Sequence, residues 1–426
     1  MAANAAGLAA RWRDGAPRLR EAAAIEAGAA LVLILLFSNA LIAPLLADPA
    51  NPEASAVLRL VWPPAYAMTL ALIALHPAKV WRTALRSWPI LVLAGWAIAS
   101  FTWSIDPGVT VRRGIGVVMT AVLGLYLAAR YDWRDLIRLL AAAFAILAFG
   151  SLIAGAAFPA FGVMSEVHPG AWKGLWWEKN TLGAVMAWGS LSFCAAAAAA
   201  KSAAERRVWI GFVGLGVLLV LLSTSKTALL ATLIGVGGPA AIALARRGFG
   251  FAALAIFAGV LGAASLLGVL IVGPGVILEA LGRDATLTGR TEIWAVLVRQ
   301  IADAPLTGYG YGAFWEVEDG PVFWVRQATA WPVPTAHNAW LETALAIGVP
   351  GAVFAALTML TAWARAFGRL FCGVETYWAL PFLTAWIVIS LSESVLLEQN
   401  GFVWLLLCAT VAKLYAEPPA RRRAAP

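Results

Sequence analysis

The sequence predicts an all-α integral membrane protein of about twelve transmembrane helices, with a large, partly helical loop on the outer face before the tenth. Three observations carry that expectation. Of the 426 residues, 62% are apolar and 13% charged, whereas soluble globular domains are roughly 45–50% apolar and about 25% charged. Lipid must therefore be the solvent for most of the chain. Second, apolar stretches near the length of a bilayer crossing recur at 25–46, 56–75, 88–104, 109–129, 136–157, 180–200, 208–224, 227–245, 249–272, 338–364, 376–394 and 401–416. Third, the basic residues alternate with these stretches as the positive-inside rule requires.

The first stretch, AGAALVLILLFSNALIAPLLA, is too long for the apolar part of a signal peptide and is expected to be retained. With 1–24 as a cytoplasmic tail, that face receives Arg11, Arg13, Arg18 and Arg20, then Lys79, Arg82 and Arg86, then Arg130, Arg134 and Arg138. Lys201, Arg206, Arg207, Arg246, Arg247, Arg365, Arg369 and Lys413 follow, and the basic tail 417–426 adds Arg421, Arg422 and Arg423. The inner face then holds 21 cations against eight acids, and the outer face ten against fifteen. The net charge of +8 alone would suggest a nucleic-acid partner. Its distribution instead orients a single polytopic domain over 1–426, with both termini inside. No nucleic-acid partner is expected, and membrane lipid is.

Two outer connections are long. Residues 158–179 read FPAFGVMSEVHPGAWKGLWWEK, and 273–337 run between the ninth and tenth spans. A loop of that length is usually functional. Within it TEIWAVLVRQIADAP reads as a helix, capped by Thr288 or Thr291 and closed by Pro305. The glycines of LTGYGYGAFWEVEDG imply turns and close backbone approach, and its aromatics suit the headgroup level.

Candidate chemistry is sparse. His76 ends the second span and reads as structural, His168 lies in the first long loop, and His337 stands where the large loop enters span ten. The plain reading of His337 and Asn338 is a helix start with Asn338 as cap. A titratable ring held on a rigid helix end would also serve catalysis. The ten outer cations run against the topological bias: Arg59, Arg112, Arg113, Lys173, Lys179, Lys226, Arg283, Arg290, Arg299 and Arg326. Singly they would snorkel to lipid phosphates; several converging on one cavity would make an anion site. Glu342, one turn beyond Asn338, could orient His337 or pair with an outer arginine, and Glu393 and Glu398 bracket the last outer turn. No DxD or HExxH spacing occurs on that face, and Cys194, Cys372 and Cys408 are scattered, so neither a metal site nor a disulfide framework is expected.

The runs WSIDPGVTVRR, GLWWEKNTLG, STSKTALL, LTGRTEIW with PLTGYGYGAFW, and AHNAWLETALAIGVPG together resemble the ordered motifs of the bacterial O-antigen ligase and polymerase superfamily, which includes the ExoQ-type exopolysaccharide polymerases. The resemblance covers about residues 100 to 400. It implies an inner-membrane glycosyltransferase, without cofactor or metal, that moves a glycan from undecaprenyl pyrophosphate to an acceptor sugar at the periplasmic face. It implies His337 as the catalytic histidine and Arg290 as the essential arginine of the large loop. Lys226 stands where the family's S-x-S-R pattern has arginine, which keeps the charge but loses the bidentate fork. Arg112, Arg113 and Lys179 join Arg290 and Lys226 as expected pyrophosphate ligands, with Asn338, Glu342 and Asn180 in support.

On this reading a neutral His337 takes the proton of the attacking hydroxyl, cations stabilise the departing pyrophosphate, and one displacement inverts the anomeric centre. His337 orienting the acceptor remains the alternative. The motifs do not separate a ligase, whose acceptor is lipid A-core, from a polymerase, whose acceptor is a carrier-linked repeat; a ligase is expected, as the commoner label for the set, with the polymerase as the alternative. A transporter or flippase would place ionisable residues near span centres, where this sequence has almost none.

Overall fold

The computed structural model describes residues 21–46, 55–166, 168–272, 290–329 and 333–418. The terminal arginine clusters, Arg283 and Thr288 lie outside the described residues. Helices occupy all twelve apolar segments: α1 (21–37) with a short α2 (Ile42–Leu46), α3 (Ala56–Leu75), α4 (Pro77–Arg86), α5 (Trp88–Ala99), α6 (Pro107–Arg130) and α7 (Trp133–Ala157). There follow α8 (Pro159–Gly162), α9 (Lys179–Ala199), α10 (Ala203–Ser223), α11 (Lys226–Ala245), α12 (Phe249–Val272), α13 (Arg290–Asp303), α14 (Val322–Thr329), α15 (Ala339–Phe367), α16 (Thr376–Ser390) and α17 (Phe402–Ala416). No strand forms among the described residues; Val163 and Trp172 make an isolated antiparallel bridge. The chain is an all-α, multi-pass membrane protein.

By length and composition, seven of the described helices can cross a membrane, or eight if α4 and the helix after it, which meet at 86°, count as one bent span. The segment expected at 88–104 is that second limb. It ends as α5 plus a 3-10 turn at Ser100–Thr102. At 15 residues each, α16 and α17 reach only about 22 Å, less than the ~30 Å hydrocarbon layer. Both are central rather than peripheral: Trp378, Phe382, Trp386 and Trp404 are fully buried. Around them α9 packs on α7, α10, α11 and α16, and α17 packs on α6 and α4. Leu218, Leu221, Leu233, Phe257, Leu357 and Leu360 point outward, as lipid-facing side chains do.

His76 is structural. Its Nε2 lies 2.7 Å from Glu26 Oε1, which also accepts from Tyr126 Oη at 2.7 Å and Arg130 Nε at 2.9 Å, tying α1, α3 and α6 at one end of the bundle.

α15 is broken where Ile347 and Gly348 leave helical geometry, with Gly348 at φ +80 and Pro350 just beyond. The carbonyls freed there find new donors. Tyr309 N–H donates to Leu345 O at 2.7 Å and Gly310 N–H to Ala346 O at 3.1 Å, while Val349 N–H donates to Pro305 O at 2.8 Å. Unsatisfied backbone inside a membrane protein costs several kcal/mol per group, so the glycine-rich loop is stitched to the break. Gly308 (φ +65) must be glycine: a Cβ there would sit 2.5 Å from Leu345 O. Ile105 N–H donates to Tyr309 O at 3.0 Å, which adds the α5–α6 connection to the same seam.

The predicted loop helix is α13, ending at Asp303 just before Pro305. With α14 it encloses a second small core of Ile293, Leu297, Phe314, Trp315, Val322 and Val325. Phe314 and Trp315 are therefore buried within the loop's own core.

Gly308→Val, which combines a disfavoured φ with a backbone clash, should cost about 2 kcal/mol or more. In detergent it should lower the melting temperature and open the 305–330 segment to protease. Unchanged protease resistance would contradict the seam.

Candidate functional site

The entry of α15 is built by two side chains. Asn338 Oδ1 accepts from Trp340 N–H and Leu341 N–H at 3.0 Å each, and Asn338 Nδ2 donates to Leu391 O at 3.1 Å. It is the expected cap, and it also ties α15 to the turn after α16. Glu342 accepts from Ala336 N–H at 2.8 Å, Trp315 Nε1 at 2.7 Å and Ser394 Oγ at 3.3 Å. The carboxylate thus joins the large loop, the residue before His337 and the 391–401 turn. Between these anchors His337 holds φ +47, a left-handed conformation uncommon outside glycine and found where surroundings over-determine the backbone.

Among the described hydrogen bonds and ion pairs Glu342 meets neither the His337 ring nor an arginine; its oxygens take those three donors. The acid beside the histidine is Glu393. Its Oε1 accepts from Arg290 Nη2 at 3.1 Å and its Oε2 lies 3.7 Å from His337 Nδ1. The second distance is an ion-pair contact rather than a direct hydrogen bond. Burial pushes the Glu393 carboxyl up, but His337 and Arg290 more than offset it, and the net displacement is below the ordinary value. Arg290 thus stands beside His337 through Glu393, although 103 residues separate Arg290 from that acid. Glu393 is the principal residue missed in the site readings. Its signal was an acid at a span boundary, which usually has a partner.

Next to this trio lies a cavity of about 510 Å³. Arg59, Arg112, Arg113 and Arg326 all line it, with Glu316, Glu342 and Glu398 as its carboxylates. Thr335 and Ser394, chain neighbours of His337 and Glu393, form part of its wall. Arg113 is held by Gly312 O at 3.0 Å and Glu316 Oε1 at 2.6 Å, and Arg326 by Glu318 and Trp315 O. Arg112 and Arg113 thus share one cavity with Arg59 and Arg326, which the sequence left unassigned.

The two lysines fall elsewhere. Lys179 Nζ donates to Thr224 Oγ1 at 3.1 Å, so it sits over the 224–226 turn from which Lys226 opens α11. Lys226 and Asn180 are exposed. Among the described contacts none of these three touches Arg290, His337 or the arginine cavity. The turn is tight because Gly183 of α9 packs on it, where a Cβ would meet Ser223 Oγ at 2.7 Å. The two lysines therefore share a turn of their own, separate in contact from the arginines.

Residues 211–356 match the Wzy_C family, described as O-antigen ligase. The chain is also 30% identical over 292 residues to the exopolysaccharide production protein ExoQ of Rhizobium meliloti (strain 1021), a match spanning 64% of this chain and 63% of that protein. The chain is thus similar to the O-antigen ligase family over residues 211–356, and it spans less than two thirds of the length of the exopolysaccharide protein it matches. The matched domain contains Lys226, Arg290, His337 and Glu342, whereas Glu393 and three of the four cavity arginines lie outside it.

Because the folded Glu393 carboxyl is displaced downward, its interactions stabilise the fold above its ordinary value of 4.5 and are lost as pH falls through the lower folded value. Between about pH 5 and 3 the wild type should therefore lose thermal stability more steeply than Glu393→Gln. Parallel melting curves across that range would refute the contact.

Proposed function

We propose that the chain is a glycosyltransferase that moves a glycan from an undecaprenyl pyrophosphate carrier to an acceptor sugar at the outer face of the bacterial inner membrane. The observation that supports this reading best is the Arg290–Glu393–His337 cluster beside a cavity lined by four arginines. A carrier pyrophosphate needs several charge-assisted donors, and Arg59, Arg112, Arg113 and Arg326 supply them. His337 accepts the proton of the acceptor hydroxyl as its oxygen bonds to the anomeric carbon. The bond from that carbon to the phosphate oxygen breaks, its electron pair leaves on the pyrophosphate, and the anomeric centre inverts. Glu393 stabilises the charged imidazolium that results. Arg290 keeps donors beyond the one Glu393 takes and faces the charge developing on the leaving group. Lys179 and Lys226, on their separate turn, contact the donor away from the reacting bond in this reading.

Of the two acceptors, similarity to a protein of exopolysaccharide production over 292 residues favours another carrier-linked repeat unit. Ligation to lipid A-core is the second reading, favoured by the O-antigen ligase description of the matched domain.

With purified protein and a defined lipid-linked donor, His337→Ala should lower kcat by about 10²–10⁴-fold. Glu393→Gln should lower it by about tenfold or more with donor affinity little changed, and Arg112→Ala should chiefly raise the donor KM. Arg290→Lys should lose more activity than charge alone explains, because lysine lacks the planar fork. Retained transfer by His337→Ala would eliminate the general-base role.

Offering the same enzyme both acceptors should extend the carrier-linked repeat into a ladder on a gel. Transfer to lipid A-core alone would select ligation instead.

A further inference from the structure

A second cavity, of about 720 Å³, opens at the other end of the helices, between the C-terminal ends of α4, α15 and α17. His337 precedes the first limb of α15, and Arg365 lies near the end of the second, which runs on from the break at Ile347 and Gly348 to Phe367. The cavity therefore lies at the opposite end of this broken helix from the site above. Its lining is Arg86, Arg365, Arg369, Tyr415, Glu417 and the backbone around them.

The arginines are fixed rather than splayed. Arg86 Nη1 donates to Ala416 O at 3.0 Å, Arg365 lies 4.3 Å over the Tyr415 ring, and Arg369 Nη2 donates to Leu414 O at 3.0 Å and to Glu417 O. Arg369 is only 3% exposed, yet its Nη1 has no hydrogen-bond partner among the described residues. A buried charged donor without a partner is costly. Glu375 and Glu417 act on this arginine through their charge, and Glu417 Oε1 also takes Lys413 Nζ at 2.5 Å, so the cations around the cavity outnumber these acids and suit a further anion. Chain neighbours of these arginines are apolar and exposed: Leu85, Trp88, Phe367 and Phe371. Cationic donors beside exposed apolar side chains at a helix end match a molecule with a phosphate head and hydrocarbon tails.

We propose that this cavity binds the phosphate headgroup of an anionic phospholipid from the leaflet opposite the reacting site. The lipid would close the cavity between the ends of α4, α15 and α17 and hold α15, whose far end carries His337. Phosphatidylglycerol supplies the phosphodiester and the tails together; inorganic phosphate supplies only the anion.

The test uses the full chain, purified in detergent and delipidated, titrated separately with phosphatidylglycerol, phosphatidylcholine and inorganic phosphate while its melting temperature and lipid retention by native mass spectrometry are followed. Phosphatidylglycerol should bind and raise the melting temperature, with phosphatidylcholine and phosphate far weaker. The double variant Arg86→Gln/Arg365→Gln should bind it about 25-fold more weakly, at roughly fivefold per arginine. Equal binding of phosphatidylcholine, equal stabilisation by inorganic phosphate, or wild-type affinity in the double variant would each overturn the proposal. Should the double variant not fold, salt decides. Wild-type binding of phosphatidylglycerol should weaken several-fold between about 0.05 and 0.3 M salt, and salt-independent binding overturns the proposal.

Discussion

The break in α15 is the constraint on which the rest of the structure depends. A helix that stops hydrogen bonding at Ile347 and Gly348 inside a membrane protein leaves carbonyls that lipid cannot satisfy. The donors come from the backbone of Tyr309 and Gly310; the approach to α15 leaves Gly308 no room for a side chain, and Ser104 of the α5–α6 connection closes the space at Gly310. The large loop is thereby attached to the tenth apolar segment at main-chain level. Trp315, five residues beyond Gly310, then reaches Glu342 on the first turns of the same helix. The position of the loop and the position of the helix entry are thus one geometric fact, and His337 lies within it.

That arrangement explains why two glutamates near one histidine do different work. Glu342 receives donors from the loop, from the residue before His337 and from the 391–401 turn, so it acts as a joint. Glu393 is reached, among the described contacts, by Arg290 and the His337 ring. A carboxylate beside a titratable ring responds directly when that ring gains a proton.

Much of the architecture was legible in the sequence because lipid imposes it. Every predicted apolar segment holds a helix, and the loop helix ends two residues before Pro305 as its proline signal indicated. Asn338 caps α15 as its residue type and place suggested. The run IGVPG in span ten carried the break in plain view, since glycine and proline together punctuate a helix, but apolar continuity hid it. What could not be read was long-range pairing. Arg290 and His337 were legible as a motif pair, whereas Glu393 comes to them through a fold in which 103 residues intervene. For the same reason Lys226 and Lys179 were grouped with the arginines by charge and side, while the packing of α9 on α11 gives them a turn of their own.

The arginines around the entry of α15 also show how a membrane protein fixes positive charge. Each arginine whose contacts are known is fixed by a carboxylate or carbonyl: Arg113 by Glu316 and Gly312, Arg326 by Glu318 and Trp315, Arg290 by Glu393. Pairing lowers the cost of placing the guanidinium near low-dielectric surroundings. Because the group offers five donors in a planar fork, one or two such bonds leave others free in direction and fixed in place. Donors already aimed need no reorganisation as charge builds on a leaving group, and that is where electrostatic stabilisation is most effective. The acids near these arginines are therefore fixtures: Glu316, Glu318 and Glu393 hold Arg113, Arg326 and Arg290 in position.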